Sequence, residues 1–156
     1  MQLNRFTDLG LRVLIYLTQP PRPTPFTISE MADELMVSHN HLVKVVHFMG
    51  KQGWVQTTRG KGGGISLARP ASEYRLGQVI KTLEQNTQQQ IQLVDCHSTP
   101  CTLISICALK PALDQALQVF FDYLDQYTLA DMIKTPLQQA IKGDNRIPVL
   151  DLMLAQ

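Results

Sequence analysis

The chain has 156 residues, of which 44% are hydrophobic and 17% are charged, and its formal net charge is +1. This length suffices for one compact core or two small lobes. The sequence lacks a run of about eighteen uncharged apolar residues, and charges recur through its first ten positions. We therefore expect a cytoplasmic protein with neither a membrane span nor a secretory signal.

The charge is divided unevenly along the chain. Residues 1–75 hold nine basic and five acidic residues, a net charge of +4, whereas the remainder holds five basic and eight acidic residues, a net charge of −3. This asymmetry indicates that the N-terminal half faces a polyanion and that the C-terminal half faces protein or solvent.

The first two predicted elements are helices. Apolar residues at helical spacing predict a helix over about residues 4–18, which ends before the proline-rich stretch PPRPTP. Thr27 and Glu30 form a capping-box pattern, in which a hydroxyl and a carboxylate pair with free N–H groups at a helix start. A short helix to about Leu35 follows.

The next elements are a second closely spaced helix and a β-hairpin. Ser38 is placed to cap this helix, Gly50 and Gly53 allow its exit, and its inward face is apolar: Leu42, Val45, Val46 and Met49. Residues 54–58 and 65–67 have strand patterns, and the glycine-rich stretch 59–64 supplies the positive φ angles of the hairpin tip. Pro70 ends this two-stranded ribbon.

The C-terminal half predicts further helices around a cysteine-bearing loop. A helix spans about residues 76–84, with Val79, Ile80 and Leu83 directed inward, and the tract NTQQQIQ is a polar loop. The cysteine segment VDCHSTPCTLISICALK comes next. A long helix then runs from about Pro111 to Tyr127, and Thr128 is placed to cap a short helix through Ile133.

A helix, a tight turn, a second helix and a hairpin follow one another in the order of a winged helix-turn-helix, which lays its second helix in the DNA major groove. The predicted base-reading residues carry groups that donate and accept hydrogen bonds at base edges or neutralise phosphates: Ser38, His39, Asn40, His41, Lys44 and Lys51. The wing adds two cations for a narrow minor groove and two glycines that permit close backbone approach: Arg59, Lys61, Gly62 and Gly63.

A capped helix pair is by itself more often core than a DNA-binding element, and scattered cations often form a solvated face. Here the features occur together. Between Val37 and Arg75 there are six basic residues and one acid, along with three of the four histidines. We therefore expect DNA binding, with an affinity that falls steeply as salt rises.

Three cysteines lie within twelve residues: Cys96, Cys101 and Cys107. An odd number of clustered thiols in a chain without an export signal points to a metal, a cluster or redox chemistry rather than a disulfide scaffold. Their spacing leaves zinc and iron-sulfur open, with inert thiols or a redox disulfide as alternatives. Asp95, His97 and Asp8 are candidates for a fourth ligand, although Asp8 has Arg12 four residues later as an ordinary helical ion-pair partner.

Several motifs in order resemble a known family. FTDLGLRVLIYL, ISEMADELMVSHNHLVKVV, RGKGGGISLARP, the C-x4-C-x5-C loop and DQYTLADMI are similar to the NsrR family of nitric-oxide-sensing repressors. That family belongs to the winged-helix iron-sulfur regulators that also include IscR. The resemblance covers about residues 1–133. IscR proteins use another cysteine spacing and a nearby histidine, and the absence of histidine after Cys107 favours the NsrR branch.

The resemblance implies a mainly α fold in which a winged helix-turn-helix with a two-stranded β wing precedes a cysteine-rich cluster loop and a long dimerisation helix. Residues 1–75 would form the DNA-binding region, with reading helices at about 28–51 and the wing at about 54–69. Residues 76–156 would hold the cluster loop (94–108), the dimerisation helix (about 111–127) and a C-terminal tail.

The resemblance also implies a function. A homodimer would carry a 2Fe-2S or 4Fe-4S cluster on Cys96, Cys101 and Cys107, with Asp8 of the other subunit as the fourth ligand. It would repress transcription from a DNA operator with two-fold symmetry, and release that DNA when nitric oxide nitrosylates or destroys the cluster. The alternatives are a regulator of the same family that responds to iron, oxygen or cluster status, and a structural zinc version of the DNA binder.

An enzyme with a catalytic cysteine is the alternative from another class. Such an enzyme needs a base near the thiol, and apart from His97 the histidines lie on the predicted reading helix. A nucleotide-binding loop, a catalytic triad spacing and a paired-acid arrangement are all missing from the sequence. We therefore expect a DNA-binding regulator rather than an enzyme.

Overall fold

The computed structural model describes residues 2–19, 25–60, 62–87, 91–96 and 101–133. Its helices are α1 (Arg5–Tyr16), α2 (Ile28–Glu34), α3 (His39–Lys51), α4 (Leu76–Thr87) and α5 (Leu109–Leu124), and its strands are β1 (Val55–Thr58) and β2 (Gly64–Leu67). Two short 3-10 helices, Ala71–Glu73 and Leu129–Met132, complete the described elements. Among the described residues, no helix combines the length and the apolar character needed to cross a membrane.

Capping interactions set the start of the first two helices. The Asn4 side chain accepts a hydrogen bond from the Thr7 N–H at 2.8 Å, and α1 follows as predicted. Thr27 and Glu30 form the predicted capping box, with the Glu30 N–H donating to the Thr27 hydroxyl oxygen at 3.2 Å. Ser38 holds the N-cap position of α3, but its side chain makes no capping hydrogen bond, so that part of the prediction is wrong.

The turn between α2 and α3 is unusually tight. The Met36 N–H donates to Asp33 O at 3.2 Å and the Val37 N–H donates to Ala32 O at 3.0 Å, which closes α2 with a Schellman motif. Met36 has a φ of +52°, in the left-handed region where glycine is usual, and its side chain is 91% exposed. The second helix of the pair therefore begins only five residues after the first one ends.

The exit of α3 leads directly into the wing. The helix continues through Gly50 to Lys51, so only Gly53, with a φ of +67°, acts as the predicted exit glycine. The Trp54 N–H donates to Met49 O at 2.9 Å across this turn. β1 and β2 then pair antiparallel, with Val55 opposite Leu67.

A hydrophobic core joins the helix pair to the wing and to α4. Its buried side chains come from α1 to α4, the wing, the end of the first 3-10 helix and the start of the second. They include Val13, Leu14, Met31, Leu42, Val45, Met49, Trp54, Ile65, Tyr74, Leu83 and Leu129. The predicted inward faces of α3 and α4 are confirmed. A smaller cluster of Leu76, Ile80, Leu117 and Phe121 lies between α4 and α5.

The boundaries of α4 and α5 differ from the predicted ones. α4 continues to Thr87, three residues beyond the expected end, because a helix started on buried residues extends readily into polar sequence. α5 begins at Leu109, which places Pro111 within the first turn, where a backbone N–H has no helical partner to lose. α5 ends at Leu124 rather than Tyr127, and Thr128 starts a 3-10 helix.

The C-terminal end of α5 is attached to the start of α4. The Asp125 carboxylate accepts a hydrogen bond from the Gln78 N–H at 2.8 Å, and the Leu76 N–H donates to Tyr127 O at 3.0 Å. An isolated antiparallel bridge joins Arg75 to Thr128 beside them. The predicted tail beyond Lys134 lies outside the described residues, as do Lys61, His97 and part of the glutamine-rich tract.

Candidate nucleic-acid interface and cysteine segment

α3 presents one face to the core and the other to solvent. Four buried side chains on its inner face fix the rotation of the helix: Leu42, Val45, Val46 and Met49. All six predicted reading residues are exposed: Ser38, His39, Asn40, His41, Lys44 and Lys51. These side chains carry hydroxyl, amide, imidazole and ammonium groups, which suit base edges and phosphates.

Two further residues on the outer face of α3 were missed by the sequence prediction. Starting from Asn40, steps of three and four residues lead to Val43 and Lys44, then to His47, and then to Lys51. Val43 and His47 are exposed. The signal was available in the sequence, since the spacing that assigned the inner face also determines which residues lie opposite it.

The wing tip depends on glycine at specific positions. Gly60 and Gly62 have φ angles of +95° and +84°, whereas Gly63 and Gly64 do not have positive φ, contrary to expectation. Gly63 is required for another reason, because a Cβ atom there would collide with the Thr58 carbonyl oxygen. Arg59 is exposed beside this tip.

The wing is tied to the segment that precedes α2. The Ile65 N–H donates to Phe26 O at 2.7 Å, and a bridge pairs the two residues antiparallel. A Cβ on Gly64 would lie 2.6 Å from the same Phe26 oxygen, so glycine permits this close approach. The wing and the helix pair are therefore joined both through the turn after α3 and through this backbone contact.

The base of the wing is ordered by a buried tyrosine. The Tyr74 hydroxyl donates to Trp54 O at 2.6 Å and accepts from the Arg69 N–H at 3.3 Å. The Arg69 guanidinium carbon lies 4.6 Å from the centroid of the Tyr74 ring, within cation–π distance. The Tyr74 side chain therefore links the backbone just before β1 to the backbone just after β2.

A cleft of about 620 Å³ separates the start of α1 from the turn and first half of α3. Its lining combines cations, apolar side chains and one carboxylate: Arg5, Phe6, Asp8, Leu9, Arg12, Met36, Val37, Ser38, His41, Lys44 and Val45. The structure therefore places the predicted ligand Asp8 in one cleft with three predicted DNA-reading residues, Ser38, His41 and Lys44, an arrangement that no local sequence pattern indicates.

Within this cleft Asp8 forms the ion pair expected from its spacing to Arg12. The Arg12 Nη2 lies 3.0 Å from Asp8 Oδ2, and its Nε donates to Asp8 Oδ1 at 3.1 Å. Both side chains are more than half exposed. Exposed helical pairs of this kind contribute only about 0.3–0.5 kcal/mol, so the Asp8 carboxylate is held weakly.

The three cysteines lie in the segment that leads into α5. None forms a disulfide; Cys96 is half-buried, and Cys101 and Cys107 are exposed. The Cys107 N–H donates to Leu103 O at 2.9 Å, so the residues before α5 form tight turns. In the described ranges, no three Cys, His, Asp or Glu side chains are gathered closely enough to hold a metal ion.

Lys110 provides positive charge next to the cysteine segment. Its ammonium donates to the Asp114 carboxylate, which raises the pKa of Lys110, and the negative charge of a Cys96 thiolate acts in the same direction. A groove of about 300 Å³ between α4 and α5 is lined by Lys110 together with Lys81 and Ile91.

The cysteine segment and α5 also expose apolar side chains. Leu103, Ile104, Ile106 and Leu109 are each more than half exposed, and so are Val119 and Tyr123 on α5. Such a concentration of apolar side chains on a surface is typical of a protein–protein contact.

A closely spaced helix pair, an exposed polar face on its second helix, and an antiparallel hairpin fixed beside it define a winged helix-turn-helix protein of the DNA-binding class. The family model described as "Rrf2: Iron-dependent Transcriptional regulator" matches residues 3–135. The chain therefore belongs to the Rrf2 family of transcriptional regulators. Family membership also confirms the expectation of a regulator rather than an enzyme.

Several solved structures share the fold of this chain. T. potens IscR has 23% identity and a TM-score of 0.66, covering 90% of this chain and 88% of that one. The oxidized form of Staphylococcus aureus CymR has 24% identity and a TM-score of 0.67, covering 86% and 98%. CymR of B. subtilis, described as a global cysteine regulator, has 21% identity and a TM-score of 0.61, covering 85% and 95%. The predicted mainly helical fold with a two-stranded wing is confirmed.

Proposed function

We propose that this Rrf2-family regulator is a cytoplasmic homodimeric repressor that senses nitric oxide through an iron-sulfur cluster. The observation that carries the proposal is the shared cleft, which Asp8 lines together with His41 and Lys44 of α3. A change at Asp8 would thereby alter the charge of the cleft next to the proposed DNA-reading surface. The family description as iron-dependent supports the choice of metal.

The DNA part of the proposal assigns α3 to the major groove and the wing to the minor groove. The outer face of α3 offers hydrogen-bonding groups at Ser38, His39, Asn40 and His41, and cations at Lys44 and Lys51. Arg59 and Lys61 at the wing tip would contact phosphates or the narrow minor groove, and Gly62 and Gly63 allow the backbone to come close. Two copies would read an operator with two-fold symmetry.

The donor chemistry suits an iron-sulfur cluster. Three thiols free of disulfides, at Cys96, Cys101 and Cys107, are the ligands that such clusters use. Because the described residues of one chain do not gather into a metal site, ligation requires rearrangement of the cysteine segment or a ligand from a second copy. Asp8 of the partner subunit would supply that ligand. When bound, the cluster would supply iron atoms at which nitric oxide binds.

The chain's own charges couple ligation to DNA binding. To ligate a metal, Asp8 must leave Arg12, which costs little because the pair is exposed. Its departure leaves Arg12, Arg5 and Lys44 around the cleft without a neighbouring carboxylate. The more positive potential of the cleft would favour DNA, with Lys44 as the cleft cation that contacts phosphate. Loss of the ligand bond restores the Asp8–Arg12 pair and weakens DNA binding. Such a difference in affinity between two states is what makes a switch.

The dimer part rests on the exposed apolar side chains of α5 and of the cysteine segment. Val119 and Tyr123 lie four residues apart and project from one face of α5. A second copy packed along this face would bury them. It would also cover the exposed side chains of Leu103, Ile104 and Ile106 next to the cysteines, so the cluster would lie close to the subunit interface.

The second candidate function is a regulator of the same family that senses a signal other than nitric oxide. Exposed thiols at Cys101 and Cys107 also suit a regulator that responds to redox state through the thiols themselves, or to iron, oxygen or cluster status. The similarity in fold to CymR makes the version without a cluster worth testing. A structural zinc site is a third arrangement of the same donors.

The deciding experiment is anaerobic purification of the full chain with iron and sulfide quantitation, followed by operator binding before and after addition of nitric oxide. We expect brown protein that binds DNA and loses affinity on exposure to nitric oxide. Colourless protein with zinc, or protein devoid of iron and sulfide after reconstitution, would exclude the cluster. Unchanged DNA affinity after nitric oxide would exclude the sensing role.

The ligand assignment is tested with single substitutions. Cys96→Ser, Cys101→Ser and Cys107→Ser should each abolish stable cluster incorporation. Asp8→Ala should accelerate cluster loss, whereas Asp33→Ala, which also removes one exposed carboxylate from the N-terminal half, should not. Equal cluster lifetimes and equal responses to nitric oxide in the two aspartate variants would reject Asp8 as a ligand.

A further inference from the structure

The outer face of α3 contains one exposed aliphatic side chain. Val43 is 40% exposed, whereas the other aliphatic side chains of α3 are buried. A β-branched residue at an exposed helical position is less favourable for the helix than alanine. Helix propensity therefore does not account for valine at this position.

The neighbours of Val43 are polar and face the same side. Asn40 lies three residues before it and His47 four residues after it, so both are adjacent on the helix surface. Both side chains are exposed. The partly exposed side chain of Val43 thus lies between an amide and an imidazole, on the face assigned to base reading.

Only one group in the major groove has matching chemistry. Among the base edges exposed there, the C5-methyl group of thymine is apolar, and the others present hydrogen-bond donors and acceptors. We propose that Val43 contacts the C5-methyl group of a thymine in each operator half-site and so selects thymine at that position. This inference rests on the proposed function only in placing α3 in the major groove, and it is independent of the signal that the protein senses.

The size of the effect follows from the burial of one methyl group. Removing a buried methyl group costs about 0.8 kcal/mol, which corresponds to about a fourfold loss of affinity in one half-site. If both half-sites of a dimer are altered, independent contributions multiply to about fifteenfold. Val43→Ala should lose this preference while the helix remains intact, since alanine is the more favourable helical residue.

The experiment uses the full-length protein and a duplex obtained by selection from a randomised DNA library. Each thymine of the selected duplex is replaced in turn by deoxyuridine, which removes only the C5-methyl group. We expect the wild type to lose about fourfold in affinity at one thymine of each half-site, and Val43→Ala to bind the thymine and uracil duplexes equally at that position. His47→Ala is the matched control on the same face, and it should retain the full penalty for uracil.

Each outcome bears on the proposal. A uracil penalty that persists in Val43→Ala would overturn the role of Val43, as would the absence of a penalty at every thymine in the wild type. Both results leave DNA binding itself intact. A selection that enriches no sequence would overturn this inference together with the DNA-reading part of the proposed function. Thermal unfolding of Val43→Ala at the wild-type temperature shows that a lost preference does not reflect a damaged fold.

Discussion

Replacement of Lys44 by glutamine gives a quantitative test of the DNA-binding face. Lys44 is exposed on α3 and lines the cleft together with Arg5 and Arg12. Glutamine keeps a similar length and a good helix propensity but removes the charge. If Lys44 neutralises a DNA phosphate, its loss reduces the number of counterions released on binding, which is read from the salt dependence of the affinity.

The expected magnitude follows from the cations assigned to phosphates. Each protomer has four, at Lys44, Lys51, Arg59 and Lys61, so a dimer has eight. At about 0.9 per contact, the slope of log affinity against log salt is about −7 for the wild type and about −5 for Lys44→Gln. Between about 50 and 200 mM salt, the wild type should lose about 10⁴-fold in affinity and the variant about 10³-fold.

Fluorescence anisotropy with a labelled duplex of about 30 base pairs, long enough for two half-sites, measures these slopes. Lys81→Gln is the matched control, because Lys81 lies on α4 with its ammonium 5.8 Å from the ring centroid of Phe121, away from the wing and α3. It should leave the slope unchanged. Equal slopes for the wild type and Lys44→Gln would show that Lys44 does not contact phosphate and would refute the assignment of this face.

Three further substitutions test the supports of this surface. Gly63→Ala should weaken DNA binding, because its Cβ would collide with the Thr58 carbonyl oxygen and distort the wing. Gly50→Ala is the matched control, since the added atom meets open space. Chemical denaturation should show that it raises the free energy of unfolding by about 0.5–1 kcal/mol. Tyr74→Phe should lower the free energy of unfolding by about 1–3 kcal/mol, since buried backbone groups at the base of the wing lose a partner; an unchanged Tm would contradict this. The hydrogen bonds from the Thr128 hydroxyl and N–H lower the pKa of Asp131. The ionised carboxylate therefore stabilises the fold above about pH 4, and this stabilisation disappears as the pH falls further. Asp131→Asn should remove it, so the difference in Tm between wild type and variant should shrink as the pH is lowered below about 4.

The elements that the sequence predicts well are those with a strong local signal. The inner face of α3 follows from apolar spacing, and the capping box at Thr27 follows from two residues three positions apart. The element boundaries were less predictable. Ser38 has the residue type and position of a cap, yet the local backbone leaves its hydroxyl without the capping bond, and only three-dimensional coordinates reveal that.

The candidate site depends on contacts that are distant in sequence. Asp8 and Lys44 line one cleft although 36 positions separate them, and neither residue lies in a pattern that includes the other. The sequence likewise predicts that Cys96 and Cys107 share a segment, but not how far apart their thiols lie. Proximity of this kind is set by helix packing, which depends on the whole core rather than on a local motif.

The unequal anchoring of α5 determines which part of the molecule opens most readily. Its fully buried residues, Leu117 and Phe121, lie in the second half of the helix, and the cap that Asp125 provides to α4 lies just beyond its end. Local opening free energy falls with the number of buried apolar contacts, so amide hydrogens in the first turns of α5 should exchange with solvent faster than those near Phe121. Cys107 adjoins these first turns. We therefore expect the residues around Cys107 to open locally while the hydrophobic core beneath α3 and the wing stays intact.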